Sequence, residues 1–242
     1  MNLCMHNEEQ RDADDHIGPA LAPLARAEAL TEKVADRLRN AILSGALPSG
    51  THLSVPEIAR QLGVSRTPAR EGLILLEREG LVEPRSSAGM AVIAGGTAEI
   101  LDLLDIREGL EIITVRRAAE RMDGAAVARL EELFARHEAA MKDGDVGRHV
   151  ALDAAFHAMI GEGAGNVRLA RQLTQIDQQL RVLNNRLSRA KGWSGRAVLT
   201  DHRAIVKAIA ARNADEAEKR MRAHIERTRA FHLRVVDGTG TS

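Results

Sequence analysis

Leu30, Val34, Leu38 and Ile42 recur at every fourth position, the spacing of one apolar helix face, and Ser44-Gly45 followed by Pro48-Ser49-Gly50 ends that face. Ser54-Val55-Pro56-Glu57 is written as a capping box, in which Ser54 bonds the amide of Glu57 while Glu57 reaches back; Pro56 is tolerated in the first turn. A short helix to Leu62 is predicted there. Gly63-Val64 then turns the chain and Ser65 caps a third helix from Arg66 to Glu79, with Ala69, Leu73 and Leu76 on one side. After Gly80 the helical period is lost. Leu81 and Val82, then Met90, Val92 and Ile93, flank the turn formers Pro84 to Gly89, which predicts a β-hairpin. Ala94-Gly95-Gly96-Thr97 reads as a linker with Thr97 capping the next helix. Helical spacing then resumes in six segments, about 98–122, 125–142, 145–161, 166–190, 195–211 and 214–236, parted by Gly124, Gly144, Gly161 to Gly165, Gly192 and Asn213.

The predicted fold class is mainly α: an N-terminal winged helix-turn-helix with a small β-hairpin wing, then a C-terminal all-α six-helix bundle. The expected division is a disordered acidic tail at 1–26, the winged unit at 27–94, a linker at 95–97, the bundle at 98–236 and a short tail at 237–242. A length of 242 residues accommodates one small and one larger domain. The first tail sets Glu8, Glu9, Asp12, Asp14 and Asp15 against Arg11 and Arg26 without periodicity.

Charge restricts the function classes. Lys plus Arg is 34 and Asp plus Glu is 34, so the chain is formally neutral and any nucleic-acid contact must be local. Four aromatics, Phe134, Phe156, Phe231 and Trp193, are too few for the stacking platforms of single-strand binders. Cys4 is the only cysteine, which excludes an internal disulfide and a multi-cysteine zinc site. No signal-peptide pattern opens the chain, and no apolar run approaches the roughly 18 residues of a membrane span. The expectation is a cytoplasmic protein without a membrane partner.

A helix-turn-helix lays the N-terminal part of its second helix in the major groove of double-stranded DNA. Arg66, Thr67 and Arg70 occupy that end. Arg66 and Arg70 lie one turn apart, opposite the apolar side, where each can pair with guanine. Thr67 suits a phosphate or a thymine methyl, Ser65 leaves helix amides beside the phosphates, and the hairpin tip offers Arg85 and Gly89 to a neighbouring groove. The bland alternative is a solvated face. Gly63-Val64-Ser65-Arg66-Thr67-Pro68-Ala69-Arg70-Glu71 and Gly80-Leu81-Val82 resemble the winged-helix signature of GntR-type transcriptional regulators, over residues 29–93. The resemblance implies DNA contacts at Arg66, Thr67 and Arg70, assisted by the wing near Gly89. Two departures stand out: Val55-Pro56 replaces residues that are charged in many relatives, and Gly72 replaces a usual alanine, at about 1 kcal/mol of helix propensity.

In the bundle, Val146, His149, Asp153, Phe156, His157 and Ile160 share one face, with Asp153 and His157 a turn apart. His202 is central among Val198, Leu199, Ile205, Val206 and Ile209, and His224 among Ala217, Met221, Thr228 and Phe231. One such histidine is ordinarily a hydrogen-bonded core residue. Three with a carboxylate suit a borderline divalent metal with open positions, the alternative being a dry hydrogen-bonded cluster. Asp153-x3-His157, Gly165-Asn166, His202 and His224 resemble the metal-binding version of the FCD effector domain of one GntR branch, over 98–235, and six helices are closer to its VanR-like variant. The resemblance implies zinc, nickel or manganese held by Asp153, His157, His202 and His224. His149, one turn before Asp153, is assigned to support a ligand from behind.

In the first bundle helix Arg107, Glu111 and Thr114 interrupt the apolar stripe of Ile100, Leu103, Leu104, Leu110 and Ala118. Either Arg107 and Glu111 form an internal pair, or Arg107 holds a small carboxylate effector over the metal while Glu111 positions it, as Arg-x3-Glu does in relatives. Arg181 and Asn184 are further candidates for effector binding. The expected function is an organic-acid-responsive, homodimeric regulator, a repressor of a catabolic operon, acting on operator DNA and without enzymatic activity. Ile106 and Ile113, off the inward stripe, are candidate interface residues. A metal-dependent hydrolase with an accessory nucleic-acid domain is the alternative, and a structural metal bundle that only dimerises is a third class.

Overall fold

The computed structural model describes residues 25–85, 89–184 and 195–236, so most of the predicted acidic tail, the 237–242 tail and the hairpin tip lie outside the described residues. Helix α1 (Ala25–Leu43) buries Val34, Ala35, Leu38 and Ile42. Leu30, 39 % exposed, has already rotated off that face, because strict four-residue spacing drifts around a 3.6-residue helix. After a turn come β1 (His52–Leu53), α2 (Val55–Leu62) and α3 (Arg66–Arg78). Gly63 closes α2 at φ 64°, a left-handed conformation that glycine takes without strain. Strands β2 (Val82–Arg85) and β3 (Gly89–Val92) form the hairpin, with Val82 opposite Val92 and Arg85 opposite Gly89.

Strand β1, absent from the sequence reading, pairs antiparallel with β3 and makes the sheet order β1-β3-β2. Two residues carry no alternation to read; only the partner strand makes them a strand. The capping box is a correction. Ser54 stands at the N-cap of α2 with no side-chain cap bond, and the carboxylate of Glu57 instead accepts from Arg60 Nε at 2.9 Å and Gln61 Nε2 at 2.6 Å. Helix neighbours three and four residues on outcompete the cap for that acid. Ser65 likewise caps α3 by position only.

Six helices come next among the described residues: α4 (Thr97–Arg121), α5 (Gly124–Lys142), α6 (Val146–Gly163), α7 (Val167–Asn184), α8 (Gly195–Ala210) and α9 (Ala214–Val236). Gly96, not Thr97, is the N-cap of α4, while Asp123 and Asp145 cap α5 and α6 by accepting from Ala126 N and Arg148 N. Residues 185–190, placed in the fourth bundle helix from the sequence, lie outside the described residues.

Two apolar clusters hold the molecule. The first joins the winged helix to the start of α4 through Ile100, Leu103 and Leu104, and to α7 through Ile176, Leu180, Val182 and Leu183. The second fills the bundle among α4, α5, α6, α8 and α9, with Phe156, Ile160, Ile205 and Met221 fully enclosed. Helix α4 passes through both. Arg107, Glu111 and Thr114 fall on the stretch between its two apolar ends.

Gly72 has a packing reason. A Cβ there would stand 2.8 Å from Val34 Cγ1 and 3.3 Å from Ala35 N, so the missing methyl is what lets α1 and α3 approach. Gly72→Ala is therefore expected to lower the melting temperature, since overpacking against a stiff valine costs about 1–3 kcal/mol while helix propensity returns only about 1 kcal/mol. With Val34→Ala in the background most of the penalty should vanish. Calorimetry on the parent, the two single variants and the double variant checks this; a Gly72→Ala protein at least as stable as the parent, with Val34 present, would overturn it.

Candidate DNA-reading surface and metal centre

The buried side of α3 is Ala69, Gly72, Leu73 and Leu76, which leaves Arg66, Thr67 and Arg70 exposed on the other, with Ser65 exposed before them. Neither arginine makes an ion pair among the described residues, so both forks are free for an outside partner. Arg85 ends β2 in the open, with Nη2 3.9 Å from Glu83 Oε1. Gly89 begins β3 where a Cβ would stand 2.7 Å from His52 Nε2, so the histidine of β1 lies against the wing.

In the bundle, α6 carries Asp153 and His157, α8 carries His202 and α9 carries His224. One potential ligand nitrogen from each histidine lies within 4.8 Å of the others, and all three side chains are buried. Asp153 flanks the trio: its Oδ1 is 3.6 Å from His202 Nε2, while 35 % of its side chain stays accessible. Asp153 is thus less enclosed than the three histidines.

Two histidines are backed by carboxylates. Glu111 Oε1 lies 2.6 Å from His157 Nδ1, a close ionic contact although not an aligned hydrogen bond. Asp201 Oδ2 lies 3.5 Å from His224 Nδ1 and also accepts from Arg227 Nε at 2.7 Å. An acid beside Nδ1 orients each ring from behind. His202 is held differently. Its ring stacks on Phe156 at 3.9 Å between centroids, and both its nitrogens lack a hydrogen-bond partner among the described residues.

Burial and neighbours set the charge states. Burial opposes ionisation of Glu111, yet His157 and Arg107 prevail and bring its carboxyl to about 2. Burial also opposes charge on His157, but Glu111 lifts it above the ordinary histidine value. Burial is the leading cause that lowers His202, well below the usual range, and His224. Asp153 is lowered: burial opposes this, but His157, His224 and Arg107 outweigh it. His202 and His224 therefore present neutral, lone-pair-bearing rings.

Arg107 and Glu111 do form the internal contact, Nε to Oε1 at 3.4 Å, and Asp177 of α7 joins it, with Oδ1 3.1 Å from Arg107 Nε. Burial opposes the charge on Arg107, while Asp177, Glu111 and Asp153 raise its pKa. Burial, with Glu111 and Asp153 adding to it, raises Asp177 despite Arg107. Thr114 donates to Leu110 O at 2.7 Å and so is satisfied by its own helix. Arg181 is half-buried, its Nε enclosed without a hydrogen-bond partner, and burial lowers its pKa. Asn184 ends α7, and its side chain lies outside the described residues.

The sequence reading missed His137, Asp177 and Asp201. His137 on α5 is fully buried, 4.3 Å from the His149 ring and 5.5 Å from the His202 ring between centroids; burial and then His149 bring it to about 4. Its signal was present, because it comes after Leu130, Leu133 and Phe134 on one apolar face. Asp201 and Asp177 had none: each looks like a solvated acid on a helix until its neighbours are placed.

The profile of the family "Bacterial regulatory proteins, gntR family" matches residues 30–92, and that of the FCD domain matches residues 102–227. A relative from Streptomyces ambofaciens, an uncharacterized HTH-type transcriptional regulator in an unstable DNA locus, is 33 % identical over 193 residues, 78 % of this chain and 79 % of its own. A probable D-xylose utilization operon transcriptional repressor from Paenarthrobacter nicotinovorans is 30 % identical over 200 residues, covering 81 % and 85 %. The solved structure of McbR/YncC from Escherichia coli shares the fold, with a TM-score of 0.75 over 86 % of this chain and 98 % of that one at 22 % identity. These relatives are regulators, so the hydrolase reading is not supported. With an exposed reading helix, a three-stranded wing and both profiles in chain order, the chain belongs to the GntR family of DNA-binding transcriptional regulators, with an FCD domain after its winged helix.

Proposed function

We propose that this regulator senses a small organic acid at a divalent metal ion in the bundle and converts its binding into a change in operator affinity. The observation that carries the reading is the convergence of three buried histidines within 4.8 Å, with Asp153 on the accessible side. The donor set fits a metal. His202 and His224 are kept neutral, His202 has no hydrogen-bond partner among the described residues, and Asp153 is held as a carboxylate beside them. Imidazole and carboxylate together suit zinc, nickel or manganese. Such an ion supplies a Lewis-acidic centre whose remaining positions accept carboxylate or hydroxyl oxygens.

In this reading Asp153, His157, His202 and His224 are the metal ligands, and His149 supports them through the packed His137 ring. Arg107 anchors the effector carboxylate, Glu111 orients both Arg107 and His157, and Arg181 with Asn184 completes the pocket. Residues 27–94 read DNA, 95–97 connect, and 98–236 sense and dimerise. Ile106 and Ile113, 53 % and 46 % exposed on α4, belong to the homodimer interface that brings two winged heads to a two-fold operator. Ser65, Arg66, Thr67 and Arg70 meet the major groove, while Arg85 and Gly89 of the wing meet its neighbour. The D-xylose operon repressor among its relatives supports repression of a catabolic operon.

Arg66→Ala or Arg70→Ala is expected to weaken operator binding by about 1–3 kcal/mol with an unchanged melting curve, because both side chains are exposed. Gel-shift titration at fixed salt measures this; parental affinity in both variants would remove α3 as the reader. His202→Ala or His224→Ala is expected to lose most bound metal, lower the melting temperature and abolish the acid response, while basal operator binding persists. Elemental analysis paired with operator titration tells the cases apart. Full metal occupancy in both variants would make these histidines core residues, and metal loss with an intact acid response would move the effector elsewhere.

A further inference from the structure

Arg107 is not an empty anchor. The Asp177 carboxylate already lies 3.1 Å from its Nε, and among the described residues this is the one ion pair that ties α4 to α7. We propose that Asp177 is the resident occupant of the effector's carboxylate position, and that an organic acid acts by displacing it from Arg107 and so loosening α7 from the winged helix. The proposal rests on Arg107 as the acid's anchor.

Asp177 is weakly held. Its Oδ1 is buried without an aligned hydrogen bond, and it shares its surroundings with the acids Glu111 and Asp153. The two Nη groups of Arg107 make no hydrogen bond to another described residue, so the guanidinium keeps its fork for a bidentate carboxylate, a stronger partner than a single Nε contact. An acid that also binds the metal arrives with a second attachment that Asp177 lacks.

Displacement has somewhere to go. Ile176 and Leu180, on either side of Asp177 along α7, lie in the same apolar cluster as Leu73, Leu76, Leu81 and Val82 of the winged helix. Gln179 Nε2 donates to Glu79 O at 2.9 Å, just beyond the end of α3, and Ser49 Oγ donates to Val182 O at 3.1 Å. The Gln179 amide fits there because Gly80 has no side chain: a Cβ would run into its Nε2. Glu79 is itself fixed to α1 by Arg39 Nε at 2.8 Å. A shift of α7 is therefore delivered to the base of the reading helix through contacts that do not pass along the 95–97 linker.

The test uses full-length, zinc-loaded protein with lactate, malate, citrate and gluconate as probes, measuring acid affinity by calorimetry, operator affinity by gel shift and amide exchange across residues 173–184. Asp177→Asn should bind the responsive acid about tenfold more tightly, shift acid-free operator affinity in the direction that acid shifts the parent, and show fast exchange in α7 without acid. Gln179→Ala should bind the acid as the parent does yet lose most of the operator response. Parental acid affinity, operator affinity and exchange in Asp177→Asn overturn the displacement, as does a full operator response in Gln179→Ala for the α7 route. If the parent binds none of the acids and Arg107→Ala changes nothing, the Arg107 reading itself fails, and this proposal with it.

Discussion

A guanidinium and a carboxylate buried on the same helix organise this molecule. Removing one partner of such a pair leaves an uncompensated charge in the interior, at a cost of about 3–5 kcal/mol. Arg107 and Glu111 cannot meet that demand alone, since their own contact is a single 3.4 Å approach. Arg107 recruits Asp177 from α7 and Glu111 recruits His157 from α6, so the charges of α4 dictate which faces of two other helices turn inward. The polar centre falls where α4 leaves one apolar cluster and enters the other.

The histidines extend that logic. His157 and His224 each have an acid beside Nδ1, and Phe156 holds the His202 ring by stacking. The neutral rings of His202 and His224, enclosed beside the Asp153 carboxylate, are costly as a dry core and chemically suited to a cation. His137 and His149 enlarge the basic lining beyond the four residues that the family resemblance implies.

The bundle and the winged helix share a core. Helix α7 belongs to the bundle by its Arg107 contact and to the winged helix by Ile176, Leu180, Val182 and Leu183, while Gly80 permits the close approach of Gln179 and Gly72 that of α1 to α3. A short linker alone would leave the head free to tumble, and a change in the bundle would have no mechanical route to α3. Packed interfaces of this kind move between discrete arrangements rather than bending continuously, which suits a switch.

The sequence by itself determined everything written in local periodicity. The amphipathic spacing of Val34, Leu38 and Ile42, the glycine at position 63 and the two-period apolar pieces around Pro84 to Gly89 placed the helix-turn-helix and wing. The apolar faces around His157, His202 and His224 marked three histidines as inward. Tertiary structure decided the rest, because the remaining contacts join residues whose neighbours along the chain carry no trace of them. Strand β1 exists through its pairing with β3, and Glu57 abandoned its cap for Arg60 and Gln61. Gly72, which costs a lone helix stability, is required where α1 crosses α3. Asp177 and Asp201 are indistinguishable in the sequence from solvated acids; only the packing of α7 on α4 and of α8 on α9 sets them against Arg107 and His224, where burial makes their charges matter.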